Sequence, residues 1–113
     1  EMKSSVDAFL HAFPTAEKGI VAYPRYEFDN YRRIDPNSKG NWWFITTLWM
    51  AQYSLATNEP DLANSVLAWV LGVNMQTSVL AEQVNPGDQA VISPAPLTWS
   101  HAEYLSTLLD TIK

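Results

Sequence analysis

The stretch NWWFITTLWMAQYSLA, from Asn41 to Ala56, decides the fold class of this chain. Its apolar residues recur at the spacing of one helix face, and further apolar residues make that face unusually broad. The residues that mark the face are Phe44, Leu48, Ala51 and Leu55, and those that broaden it are Ile45, Trp49 and Met50. A helix that is apolar over so much of its surface needs neighbours on more than one side. The sequence therefore predicts a central, deeply buried helix.

Three further segments have helical periodicity. The first carries Val6, Phe9, Leu10 and Phe13 and ends at Pro14, and another begins at Pro60, a residue suited to a first helical turn. The last runs from roughly Thr98 to Ile112, where Ser100 and Glu103 have the spacing of a capping box. Its predicted buried side consists of Ala102, Leu105, Leu108, Leu109 and Ile112.

No sustained alternation typical of strands is found, and residues 89–93 are predicted to form at most a short extended piece. The predicted fold class is all-α with about four helices. Two long connections, about Pro14 to Gly40 and about Gln76 to Leu97, are the segments where functional residues are expected, because long ordered loops usually carry function.

Composition excludes several classes of function. The 113 residues carry a net charge of -5 and no basic run, which argues against nucleic acid and anionic membranes as partners. The absence of cysteine excludes disulfides and thiolate chemistry, and the two histidines, His11 and His101, do not make a zinc site. No cofactor or metal is predicted. No long apolar run is present, so a soluble chain is expected, with the cytoplasm favoured as its location.

Four blocks of sequence lie in the two connections and at the helix starts beside them. They are YPRYEFDNY from Tyr23, GNWWFITTLW from Gly40, LAEQVNP from Leu80 and PLTWSHAE from Pro96. In this order they resemble glycoside hydrolase family 15, which includes glucoamylases, glucodextranases and some microbial trehalases. The resemblance covers about Gly19 to the C-terminus.

The resemblance implies an (α/α)6 barrel whose loops bind a glucosyl unit and cleave its bond with inversion. The chain would be roughly the last third of such a barrel, so residues 1–113 are predicted to be a single partial domain. The expected partners are an α-glucoside substrate and the remainder of the catalytic domain. The general acid would lie in a segment preceding Glu1, and the 113-residue chain alone is expected to be inactive.

By the same resemblance Glu82 is the general base, which deprotonates a water molecule on the ring face opposite the leaving oxygen. A loop carboxylate with polar neighbours such as Gln83 and Asn85 suits that role, because a base must be ionised near neutral pH. The alternative is an ordinary solvated loop carboxylate.

The resemblance also implies sugar binding by Arg25, Asp29, Trp43 and Trp99. A guanidinium and a carboxylate can each bind vicinal hydroxyls, and an indole ring can cover the apolar face of a pyranose. Alternatively, Arg25 and Asp29 form a surface ion pair and the tryptophans belong to the core. Trp42 departs from the family pattern, which has proline at this position.

A second class of function uses the same residues without catalysis. A freestanding helical protein that descended from such an enzyme would serve as a carbohydrate-binding or assembly module. Uncovered apolar helix faces would then drive it to form homo-oligomers.

Overall fold

A computed structural model describes residues 2–12, 22–26, 28–74, 80–86, 88, 90–92 and 97–112 of the chain. The elements in chain order are α1 Met2–Ala12, β1 Trp42–Trp43, α2 Phe44–Ala56, α3 Pro60–Asn74, β2 Gln83–Val84, β3 Val91–Ile92 and α4 Thr98–Thr111. The prediction of a mostly helical chain with four helices is confirmed, whereas the predicted end of the first helix at Pro14 lies outside the described residues. None of the helices in the described ranges is long and apolar enough to span a membrane.

The strict all-α prediction is corrected by a small antiparallel sheet in the order β1-β2-β3. Trp42 pairs with Val84, and Val84 pairs with Val91. Each strand has two residues, which is too short for an alternating pattern to appear in the sequence. Because Trp42 and Trp43 are extended, α2 begins at Phe44 and not near Asn41 as the sequence predicts.

The core lies between α2 and α3 and extends to the segment that contains β2. The residues with at most 1% exposure in this core are Phe44, Leu48, Ala51, Ala63, Val66, Val70, Leu80, Ala81 and Val84. Trp69 packs against Phe44 with ring centroids 5.3 Å apart, as expected for a core residue. Trp49, which the helical pattern also assigned to the core, is 45% exposed, so that prediction was wrong.

The buried face of α4 is opposite to the predicted one. Its buried residues are Ser100 and Thr107, and the Gln52 amide donates to Glu103 Oε2 at 2.7 Å and to Thr107 Oγ1 at 3.1 Å. The predicted buried side is instead exposed, and it consists of Ala102, Leu105, Leu108, Leu109 and Ile112. Periodicity identified the apolar face correctly but could not show that hydrogen bonds, and not leucines, join α4 to α2.

The capping box predicted at the start of α4 is also absent. The N-cap residue is Leu97, and it makes no side-chain hydrogen bond to the helix. Ser100 donates to the carbonyl oxygen of Ala81 at 2.7 Å, so its hydroxyl joins α4 to the segment before β2.

Gly40 occupies a backbone conformation that only glycine adopts without strain, with φ of +127°. A Cβ here would lie 3.2 Å from the Cβ atoms of both Asp29 and Pro24.

We expect Gly40→Ala to lower the free energy of unfolding by about 1–3 kcal/mol. Gly72 is the matched control because a Cβ in this helical position meets nothing within 4 Å. Gly72→Ala should stabilise the chain by about 0.5–1 kcal/mol. Urea unfolding of both variants checks this, and a Gly40→Ala variant as stable as the parent would contradict it.

Candidate active site

Arg25 and Asp29 form a two-pronged ion pair in the loop before β1. Arg25 Nε donates to Asp29 Oδ2 at 2.7 Å, and Arg25 Nη2 donates to Asp29 Oδ1 at 3.0 Å. The amide of Tyr31 also donates to Asp29 Oδ1, at 3.0 Å. The Asp29 side chain is 1% exposed, whereas the Arg25 side chain is 33% exposed. Asp29 therefore lies beneath Arg25, and the guanidinium is the more accessible member of the pair.

The loop backbone makes this pairing possible. Phe28 adopts a positive φ of 60°, and its amide donates to the carbonyl oxygen of Lys39 at 2.8 Å. This bond closes the loop on itself, and Gly40 allows the returning chain to pass next to Asp29. The i, i+4 spacing of the two charged residues thus reflects a compact loop, and not a helix.

Both members of the pair stay charged near neutral pH. Burial by itself would raise the pKa of Asp29, but the hydrogen bonds from Arg25 and from the Tyr31 amide outweigh it and lower that pKa. The hydrogen bond to Asp29 in turn raises the pKa of Arg25. The guanidinium therefore carries a permanent positive charge, and Asp29 sets its orientation.

Aromatic rings surround this guanidinium. Its Cζ atom lies 4.1 Å from the ring centroid of Trp43 and 5.4 Å from those of Tyr26 and Tyr31. Trp43 is 4% exposed, and its Nε1 atom has no hydrogen-bond partner among the described residues. A buried N–H group without a partner is rare, so this site presents a donor that lacks an acceptor.

Glu82 lies beside this cluster because β2 pairs with β1. The amide of Phe44 donates to the Glu82 carbonyl oxygen at 3.3 Å, and Trp43 is the register partner of Gln83. The Glu82 side chain is half-buried, and its carboxylate accepts a hydrogen bond from Gln83 Nε2 at 2.7 Å. The negative charge of Glu82 also raises the pKa of Arg25, although by less than the hydrogen bond to Asp29 does. The fold thus gathers Arg25, Asp29, Trp43 and Glu82.

Among the described residues, the ring contact of Trp99 is with Trp49 and not with any of these four residues. Trp99 is 49% exposed at the start of α4, and its ring meets that of Trp49 edge to face with centroids 5.9 Å apart. The two rings form an exposed aromatic pair on α2 and α4. Within the described residues, the link from Trp99 towards Glu82 runs through their chain neighbours, since Ser100 donates to the carbonyl oxygen of Ala81 at 2.7 Å.

Two further groups support the site: sequence reasoning missed Asn41, whereas it interpreted His101, near the start of α4, as a structural group. Asn41 Nδ2 donates both to Gln83 Oε1 and to the Arg32 carbonyl oxygen, each at 2.9 Å. His101 Nε2 accepts a hydrogen bond from the amide of Leu80 at 3.0 Å and so holds the chain just before Glu82. Asn41 and Gln83 both stand inside the quoted blocks, but one sequence gives no sign that residues 42 positions apart pair.

Comparisons with known proteins assign no family. No protein-family model, curated protein or solved structure matches the chain. The resemblance to glycoside hydrolase family 15 therefore rests on the four sequence blocks alone.

Proposed function

We propose that this chain is part of an inverting α-glucoside hydrolase and contributes its general base and part of its glucose pocket. One observation carries the proposal: a half-buried carboxylate, Glu82, is oriented by an amide and lies beside the Arg25–Trp43 assembly. The sugar would come from the non-reducing end of an oligo- or polysaccharide, or from trehalose. Carboxylate, guanidinium and indole are the groups with which proteins hold and hydrolyse sugars.

In this mechanism Glu82 takes a proton from a water molecule as that water attacks the anomeric carbon. A protonated carboxyl group on the opposite ring face donates its proton to the leaving oxygen as the glycosidic bond breaks. The two carboxyl groups of an inverting enzyme lie about 6.5–9.5 Å apart, which leaves room for the water. The acid would come from the remainder of the catalytic domain.

Arg25 suits the innermost sugar subsite. A guanidinium has five N–H groups, and Asp29 engages two of them, so three can meet sugar hydroxyls. Packing on Trp43 and pairing with Asp29 fix the orientation of the guanidinium before a ligand arrives, which reduces the entropy lost on binding. The Nε1 atom of Trp43, which has no partner among the described residues, would donate to a ligand hydroxyl or to a carboxylate of the remainder of the catalytic domain.

The uncovered face of α4 agrees with a partial barrel. Leu105, Leu109 and Ile112 are 50–79% exposed and lie on one side of the helix. In an (α/α)6 barrel each helix packs against neighbours on both sides, so a terminal group of helices has an apolar face left for the remainder of the domain.

A carbohydrate-binding module without catalysis is the second candidate, and the exposed pair of Trp49 and Trp99 favours it. Exposed aromatic rings can cover the apolar face of a sugar without any catalytic carboxylate. Association of copies through the outer face of α4 would then replace the missing helices.

Binding of maltose to the chain tests both candidates, because each candidate assigns the sugar to different side chains. We expect Arg25→Met to weaken binding about 10- to 100-fold, because hydrogen bonds from a charged group contribute roughly 1.5–3 kcal/mol. Arg32→Met is the matched control: Arg32 stacks on the same Tyr31 ring, at 5.7 Å, but does not pair with Asp29. NMR titration of both variants with maltose measures the effect. Equal affinity of Arg25→Met and the parent would contradict the glucose pocket, and loss of binding only in Trp99→Ala would favour the module.

A further inference from the structure

We infer that His101 is a positioning residue for the segment that carries Glu82, and that it acts only as a neutral imidazole. A proton taken up at its Nε2 atom breaks the bond that holds this segment and loosens the carboxylate. The inference rests on the proposed function, because the position of Glu82 matters to a reaction only if Glu82 is its base. The hydrogen bond and its dependence on the proton stand apart from that function and can be tested separately.

The protonation state of the ring follows from its partner. The Leu80 amide lies 3.0 Å from His101 Nε2, and a backbone N–H group can only donate. Nε2 must therefore carry a lone pair, so the single ring proton of the neutral imidazole resides on Nδ1. An imidazolium carries a proton on both nitrogens and has no acceptor. Proton uptake at Nε2 thus turns the acceptor into a second donor that faces the Leu80 amide.

Burial gives this bond its effect. Leu80 is 1% exposed and Ala81 is 0% exposed, so the Leu80 amide has little access to a water molecule that could replace the ring. A buried amide without an acceptor is costly, because it has lost its solvation and gained no bond in exchange. His101 itself is only half-buried, so protons from the solvent can reach it. The bond therefore links a buried part of the site to the pH of the solvent.

Two other bonds limit how far the segment moves. Ser100 donates to the Ala81 carbonyl oxygen at 2.7 Å, and the Leu97 amide donates to the Leu80 carbonyl oxygen at 2.8 Å. Neither bond involves a group that titrates near neutral pH. The segment should therefore shift and not detach when His101 takes up a proton, and the change should reverse at higher pH. A misplacement of about 1 Å at a catalytic group can reduce a rate about 100-fold.

The groups around His101 offer no ready counter-ion among the described residues. α4 packs against α2, and the His101 ring binds the segment 80–86. The titratable side chains on these elements are Tyr53 on α2, Glu82 in the segment, and Glu103, Tyr104 and Asp110 on α4. Glu82 and Glu103 each accept a hydrogen bond of 2.7 Å from a glutamine amide. Within the described part of the chain His101 forms no ion pair with a carboxylate, so no such pair offsets the lost bond.

NMR of the whole chain from about pH 8 to pH 5 tests the bond itself, because histidine ordinarily takes up a proton in this range. We expect the nitrogen resonances of the neutral His101 ring to show the proton on Nδ1. The Leu80 amide resonance should move in step with the ionisation of the ring. That movement should vanish in His101→Gln, whose Oε1 atom can accept from the same amide but does not titrate. It should persist in His11→Gln, which removes the other histidine of the chain.

Two results of this titration would overturn the inference. One is a neutral His101 ring that carries its proton on Nε2. The other is a Leu80 amide resonance that ignores pH or that still moves in His101→Gln.

Kinetics of the complete hydrolase test the positioning role. We expect kcat of the parent to fall about tenfold between about pH 7 and pH 5, with little change in KM, because the sugar contacts remain while the base is displaced. His101→Gln should lack this step and keep kcat within about threefold of the parent at pH 7. His101→Leu offers no acceptor, so it should lower kcat about 10- to 100-fold even at pH 7. His11→Gln is the control and should retain the parental step.

The outcomes separate the inference from the proposed function. An acid loss of kcat that is equal in the parent and in His101→Gln would overturn the positioning role, and this comparison decides even if His101→Leu fails to fold. Carboxylates ordinarily titrate near about pH 4, so their effect on kcat falls below the step assigned to His101. Full turnover in Glu82→Gln would instead refute the proposed function, while the NMR result would stand.

Discussion

Under the proposed function, Glu82→Gln is expected to reduce turnover of the complete hydrolase by about 10²- to 10⁴-fold. The amide has nearly the volume of the carboxylate, so the substrate should bind almost as before. It cannot accept a proton from water, however, so the attack on the anomeric carbon loses its base. Steady-state kinetics with maltose should therefore show a large loss of kcat and little change in KM.

Glu103→Gln is the control for this experiment. Glu103 is also partly buried and accepts an amide hydrogen bond of the same length, 2.7 Å, but this bond comes from Gln52 and joins α4 to α2. Its replacement should leave kcat within about threefold of the parent value. If Glu82→Gln keeps a comparable share of activity, Glu82 is not the base.

Asp29→Asn is expected to lower the free energy of unfolding by about 2–4 kcal/mol at neutral pH. Breaking a buried ion pair costs about 3–5 kcal/mol, and the loss is smaller here because Arg25 remains one-third exposed and still packs on Trp43. Asp7→Asn is the control, since Lys3 and Asp7 have the same i, i+4 spacing but are both exposed. Urea unfolding should detect the loss in Asp29→Asn and none in Asp7→Asn.

The same variant should flatten the dependence of stability on pH. The pKa of Asp29 is lower in the folded chain than in the unfolded chain, despite burial, because Arg25 and the Tyr31 amide bind the ionised form. Its contribution is therefore complete above the unfolded pKa of about 3.9 and is lost as pH falls through the lower, folded value. The parent and Asp29→Asn should thus converge in stability below about pH 4. A constant difference between them across this range would contradict the assignment.

The sequence predicted best the elements that depend on broad apolar burial. α2 and α3 lie close to their predicted places because their apolar residues are numerous enough to need neighbours on several sides. Of the three strands, only β3 lies where a short extended piece was predicted, within residues 89–93; β1 and β2 could not be predicted, since two residues cannot display a period of two. The packing of α4 was wrong for a different reason: Gln52 and Thr107 pair across helices, and a pattern within one helix contains no information on that.

The candidate site, like the fold, could be predicted from the sequence only in part. The identities of Arg25, Asp29, Trp43 and Glu82 could be proposed because the short blocks that contain them resemble those of a known family. The roles of their neighbours could not, because they depend on which atoms face each other. Only the hydrogen bonds show that Asp29 pairs with Arg25 and that Asn41 pairs with Gln83.

The attachment of α4 has a consequence for the dynamics of the site. The hydroxyl of Ser100 binds the carbonyl oxygen of Ala81, the His101 ring accepts from the amide of Leu80, and the Leu97 amide donates to the Leu80 carbonyl oxygen. These three bonds join the first turn of α4 to the two residues that precede Glu82. Local opening of that turn would therefore release the carboxylate, and the first turn of α4 and the chain around Glu82 should exchange their amide hydrogens as one cooperative unit.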